Sequence, residues 1–207
     1  MNDKILFGIG GIVIGVIITM LLNPIIQPKS MMFGINNSNS PVLGKTVGMM
    51  NNIDEHFIEQ MIPHHEGAII MAKLALIKAT RPEIKILAGA IIEAQNKEIE
   101  DMRSWYKNWF GKDVSKVGVL MMGGGMMSQN GMHMGGQEDI QILEKANDFD
   151  KAFIEGMISH HQLAIMMAQM LKSGTNRPEM LLLANNIIES QSKEIEEMQS
   201  WYKNWYK

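Results

Sequence analysis

The sequence predicts an all-α protein, a four-helix bundle made of two tandem helical hairpins behind an N-terminal transmembrane helix. Three observations predict it. Shifting the chain by 96 residues, which carries Phe57 onto Phe153, aligns two stretches without a gap. Within each stretch apolar residues recur every three or four positions, the spacing of an amphipathic helix. Residues 5–22 form an uncharged apolar run, the minimum length for spanning a bilayer.

Composition narrows the function classes. The chain has 207 residues, enough for one modest domain with appendages. Its net charge is −3 and its lysines are scattered, so no basic face for nucleic acid is expected. The absence of cysteine excludes disulfides, thiolate metal sites and thiol nucleophiles. Methionine is abundant, at 21 residues. Plastic core filling explains the helical ones, but not those in a glycine-rich linker.

Taken in order, residues 1–27 are read as a membrane anchor. Thr19-Met20-Leu21-Leu22 offers no small-x-small cleavage site, which favours an uncleaved anchor over a signal peptide. The rest of the chain is expected outside the cytoplasm, in a periplasm or at the cell exterior. Residues 28–50, rich in Asn, Ser, Pro and Gly, form a tether. Residues 51–110 are the first hairpin. Its first helix runs from about Asp54 to Lys78, with Phe57, Met61, His64, Ala68, Met71 and Ala75 on one face. Its second opens at Thr80-Arg81-Pro82-Glu83, a capping-box pattern with proline in the first turn. The inner face of this helix is expected to carry Ile84, Leu87, Ala88, Ile91, Gln95, Glu98, Met102 and Trp105. Residues 141–207 repeat the hairpin, with Asn176 and Glu179 at the capping positions. A single hairpin cannot bury both apolar faces, so the two should pack together around a pseudo-twofold axis. The Trp-Tyr-Lys-Asn-Trp sequences at 105–109 and 201–205 are expected to plug the ends of the bundle.

The chemistry centres on Met61-Ile62-Pro63-His64-His65, repeated as Met157-Ile158-Ser159-His160-His161. Each places two imidazoles and a thioether on neighbouring positions of one helical turn, a soft-to-borderline ligand set suited to copper, above all Cu(I). Counting outward from the turn at Thr80 puts His64 and His65 level with Gln95 and Glu98, and Met61 level with Ile99, a turn from Met102. One such cluster is expected in each hairpin. Gln95 and Glu98 also suit a metal-free role, as partners for buried neutral histidines. Pro63 removes a hydrogen bond inside the first helix and Ser159 does not, so the two copies are expected to be inequivalent. The 111–140 linker adds Met126, Met127, Met132, His133 and Met134, a glycine-rich set of metal ligands with no packing role.

These residues, together with Asp54, Phe57, Ala68, Met71-Ala72, Pro82-Glu83, Gln95, Glu98 and Met102, resemble domain-of-unknown-function family 305. The family includes the CopM-type copper-binding proteins, and the likeness covers both repeats. It implies a ferritin-like bundle outside the cytoplasm that binds copper in copper tolerance. It also implies ligand positions at Met61, His64, His65, Met71 and Met102, and at Met157, His160, His161, Met167 and Met198. The expected function is therefore a membrane-anchored Cu(I)-binding protein, not an enzyme, that sequesters the ion or hands it to a copper-handling partner protein, with self-association left open. Two alternatives stand beside it. One is a two-histidine, one-carboxylate Fe(II) or Zn(II) enzyme; the other is a structural module without metal. No Glu is followed three residues later by His, so the paired motif of di-iron bundles is missing.

Overall fold

The structure, a computed structural model, describes residues 53–114 and 136–206. The apolar run at 5–22, the 28–50 tether and linker residues Met126, Met127, Met132, His133 and Met134 lie outside the described residues. Among the described residues, no helix is long and apolar enough to cross a membrane.

The described chain is all-α, with five helices packed as hairpins. Helix α1 spans Ile53–Lys78 and α2 spans Pro82–Phe110. A short helix α3, Gln137–Lys145, precedes α4, Phe149–Gly174, and α5, Pro178–Tyr206. The inward face expected of α1 is buried throughout: Phe57, Met61, His64, Ala68, Met71 and Ala75. On α2 the buried stripe is rotated slightly from expectation, with Ile99 and Tyr106 buried and Trp105 only half-buried. Helix α1 runs through Pro63 without interruption. Helix α2 ends where Gly111 adopts a left-handed φ of 69° and returns its N–H to the Lys107 carbonyl. Helix α3, which straddles the boundary expected at 140/141 between linker and second hairpin, starts where the Asp139 carboxylate accepts the Gly136 N–H. It buries Leu143 against the core.

The hairpins meet largely through α1 and α4, which run antiparallel. Gly174 packs on Ile53 at one end and Gly156 on Met71 at the other. Two apolar clusters result, each mixing the open end of one hairpin with the turn end of the other. The first joins Phe57, Ile58, Met61 and Met102 to Ala168, Leu171 and Leu183. The second joins Met71, Ala75 and Leu87 to Phe153, Met157 and Met198.

Polar clamps lock this antiparallel docking, and they replace the expected capping boxes. Neither Thr80 nor any other side chain caps α2 at Arg81. Instead Asp150 of the other hairpin accepts hydrogen bonds from Thr80 N–H (2.9 Å), the Thr80 hydroxyl and Arg81 N–H (3.1 Å). A tertiary carboxylate outcompetes the local Glu83 box because it satisfies three donors at once. In the second copy the Thr175 hydroxyl accepts the Arg177 N–H, not Asn176. The reciprocal clamp pairs Asp54 with Arg177 at 3.0 Å. Each of the two arginines lies over the terminal tryptophan of the opposite hairpin, Arg81 on Trp205 at 4.0 Å and Arg177 on Trp109 at 4.1 Å. The aromatic ends of α2 and α5 thus pack, partly buried, against the two apolar clusters. Asp150→Ala strips partners from the α2 start and is expected to cost about 2 kcal/mol. Urea unfolding measures it, and an unchanged midpoint would mean the hairpins dock without this clamp.

Candidate metal centre

Between the two apolar clusters lies a polar layer contributed by all four long helices. α1 supplies His64 and His65, α2 supplies Gln95 and Glu98, and the repeat supplies His160, His161, Gln191 and Glu194. All four histidines and both glutamines are buried. The level placement of the histidine pair with Gln95 and Glu98 is observed: His65 Nε2 lies 2.6 Å from Glu98 and His161 Nε2 lies 2.5 Å from Glu194. Each carboxylate is about one-fifth exposed, so it links a buried ring to solvent.

The expectation of one separate cluster per hairpin is not met. His64 and His160 point across the pseudo-twofold axis, their ring centroids 3.7 Å apart and inclined by 39°. The reason is the antiparallel docking, which brings the midpoints of α1 and α4 together and merges two sites into one layer. The methionines are also shared differently. Met61 and Met102 lie in the first apolar cluster, where Met167 of the second repeat packs against them. Met157 and Met198 lie in the second cluster, with Met71 of the first repeat. Met71 and Met167 therefore exchange hairpins relative to their place in the sequence.

Hydrogen bonding in the layer is incomplete. Both ring nitrogens of His64 and of His160, Nδ1 of His65 and of His161, and Oε1 of Gln95 and of Gln191 are buried without a hydrogen-bond partner. Leaving a buried polar atom unpaired costs about 1–3 kcal/mol, and native interiors avoid it. Imidazole lone pairs with nothing to accept are what a metal ion uses. Among the described residues, no three His, Asp or Glu side chains converge as a metal cage. A site here would need thioether sulfur or the two facing imidazoles. Thioether and imidazole donors fit a soft monovalent ion.

The copies differ at the helix in front of the layer. Ser159 donates its hydroxyl to the Glu155 carbonyl at 3.2 Å, where Pro63 of the first copy has no donor to offer. Glu59 and Glu155 are matched, accepting from Tyr106 (2.5 Å) and Tyr202 (2.7 Å). These tyrosine bonds join the two helices of each hairpin and escaped the sequence reading. The carboxylates at α1 and α4 offered no periodic signal of a partner 47 residues away.

Burial pushes the His64 and His160 rings well below the ordinary imidazole range, and the neighbouring histidines push the same way. Contact of each ring with the other's backbone offsets this only in part. Below the unfolded value of 6.5 the unfolded chain binds protons that the native layer refuses. Stability of the metal-free protein is thus full above that pH and declines as pH falls from there through the depressed native values. Urea midpoints taken between about pH 7 and pH 5 should fall, and fall less in a His64→Leu/His160→Leu variant. An equal slope in the variant would place the acid sensitivity elsewhere.

Residues 54–202 match the family described as Domain of unknown function (DUF305). An uncharacterized protein of Acanthamoeba polyphaga mimivirus is 45% identical over 51 residues, which cover 25% of this chain and 34% of that protein. The match spans only about a third of that relative's length. Among solved structures, CopM in its Cu(I)-bound form is 45% identical with a TM-score of 0.64, covering 74% of this chain and 98% of CopM. CopM in its Cu(II)-bound form is 48% identical with a TM-score of 0.65, covering 74% and 97%. A DUF305 fragment from Deinococcus radiodurans, 24% identical with a TM-score of 0.57 over 73% of this chain and 96% of the fragment, shares the fold. The chain belongs to the DUF305 family.

Proposed function

We propose that this protein is a copper-binding protein that holds Cu(I) in the buried histidine layer of a ferritin-like four-helix bundle. The observation that carries the reading is the set of buried imidazole nitrogens without partners at the pseudo-twofold axis. The copper- and silver-bound structures of CopM, a relative of matching fold, support it. His64, His65, His160 and His161 supply nitrogen. Met61, Met102 and Met167 supply sulfur on one side of the layer, and Met157, Met198 and Met71 on the other. Glu98 and Glu194 orient His65 and His161 by accepting from Nε2, which leaves Nδ1 of each ring for the ion. The linker ligands Met126, Met127, Met132, His133 and Met134 act as an accessory set that collects or passes on the ion.

The role is sequestration or hand-over at the outer face of a membrane, with residues 5–22 as the anchor. Binding rather than catalysis is favoured because the donors are soft and buried and, among the described residues, no three His, Asp or Glu side chains converge as a metal cage. The Fe(II) or Zn(II) alternative would need Glu98 or Glu194 as a ligand, and each is already engaged by a histidine.

Anaerobic titration of the full-length chain with Cu(I) against a competing chelator tests the reading. The parent should bind tightly, and His64/His65/His160/His161→Ala should lose the bundle sites. Glu98→Ala is expected to weaken binding about ten- to a hundredfold. Replacing the linker methionines by serine should leave the bundle sites intact. If only the linker variant loses copper, the histidines are a polar core layer. If the parent binds none, the copper reading fails.

A further inference from the structure

We propose that the turn end of the first hairpin is a docking surface for an anionic lipid bilayer, with Leu76, Ile77 and Ile86 entering the interface and Lys73, Lys78 and Lys85 meeting the headgroups. The duplication supplies the control, because the turn of the second hairpin holds the same place in the repeat and lacks this chemistry.

Helix α1 ends at Lys78 and α2 begins at Pro82, so residues 76–86 lie within about two turns of one connection. Ile77 is 77% exposed, Ile86 is 71% exposed, and Leu76 is exposed beside them. Single exposed apolar residues are ordinary, but three at one tip form a patch. The fold does not require them. The 96-residue shift carries Leu76 to Lys172 and Ile77 to Ser173, both exposed, and leaves only the third position apolar, as Leu182. The same shift replaces all three lysines by uncharged residues: Lys73 by Gln169, Lys78 by Gly174 and Lys85 by Leu181.

Charge is distributed in the same uneven way. Among the described residues, no carboxylate lies within ion-pair distance of Lys73, Lys78 or Lys85, nor of Lys145 beside them. Lys78 donates to the Glu144 carbonyl oxygen at 2.7 Å, which leaves its charge uncompensated. The carboxylates at this end without a base of their own are Glu83, Glu144 and Asp148, fewer than the unpaired lysines, which also include Lys151 and Lys203. At the second turn the bases are matched: Arg177 pairs with Asp54, Lys107 with Asp113 and Lys112 with Glu55, and Lys172 stands against Glu179. An apolar tip ringed by lysines suits a lipid surface, because the aliphatic stems lie along hydrocarbon while the ammonium heads reach anionic headgroups. A second copy of this chain suits it poorly. Tip-to-tip pairing would set lysine against lysine, and the carboxylates of the opposite end are already paired within the chain.

The chain contains no cysteine, so Glu83→Cys and Glu179→Cys, at matched positions of the two turns, can each carry a single polarity-sensitive fluorophore. The full-length chain, free of metal, is reconstituted into vesicles of equimolar phosphatidylglycerol and phosphatidylcholine. The Glu83→Cys label is expected to shift to the blue and to be shielded from aqueous acrylamide, while the Glu179→Cys label emits as in water. Any pull through the residues preceding Ile53 acts at the second turn, since Ile53 lies against Gly174. Lys73→Gln/Lys85→Gln should lower the docked-to-free ratio of the Glu83→Cys label about twentyfold. Ile77→Ser/Ile86→Ser should lower it by about as much, with helix content unchanged. Water-like emission from both labels would overturn the proposal and leave the face to an acidic protein partner. Equal shielding of both labels, or shielding as strong in phosphatidylcholine alone, would overturn it as well. Shielding that appears without vesicles and rises with protein concentration would assign the face to a second copy instead. No metal enters the experiment, so its outcome is independent of the copper reading.

Discussion

The cost of burying four imidazoles in one layer governs the rest of this structure. His64 and His160 meet at 3.7 Å, with their ring nitrogens buried and without a hydrogen-bond partner apart from the contact of each ring with the other's backbone. Burial makes protonation unfavourable, so the layer is a set of neutral lone pairs. Such an arrangement weakens the metal-free protein, and the apolar clusters on either side must offset that weakness. They do so with fully buried Ile58, Met61, Phe153, Ile154 and Met157. The domain is thus two small hydrophobic cores separated by a polar plane.

Antiparallel docking makes that plane possible. The clamps at the ends, Asp150 on the Thr80-Arg81 turn and Asp54 on Arg177, set the axial register of one hairpin against the other. The arginines stacked on Trp205 and Trp109 add to it. A slip by one turn would separate His64 from His160 and bury each against hydrocarbon. The clamps lie far from the histidines, yet they determine which side chains the histidines face. Stability and site geometry are therefore the same problem here.

The duplication has been used unevenly. The histidine–glutamate pairs and the tyrosine–glutamate bonds are kept in both copies. Pro63 and Ser159 differ, and so do Ile70 and Met166, Leu74 and Met170, and Ala152 and His56. What is preserved holds each hairpin together and lines the axis where the two copies meet. What has diverged lies at the periphery, where each half meets solvent by itself.

The helices, their inward faces and the residue types at the centre were legible in the sequence, because helical periodicity and an ungapped repeat are local properties. Counting residues out from the turn at Thr80 sufficed to pair His65 with Glu98, since rise per residue is constant along both arms of a hairpin. The same counting could not reach between hairpins. Nothing in one copy states the register against the other, so the merging of two sites into one layer and the exchange of Met71 and Met167 were decided by tertiary packing alone. The capping boxes failed for a related reason: Thr80 and Glu83 fit a local motif, but a distant carboxylate, Asp150, made the stronger bonds. Short α3 was hidden because it is only nine residues long and follows a glycine-rich stretch, and a helix that short needs its contact with the core. Sequence by itself determined which atoms this protein offers; the antiparallel docking of its two halves decided which of them meet.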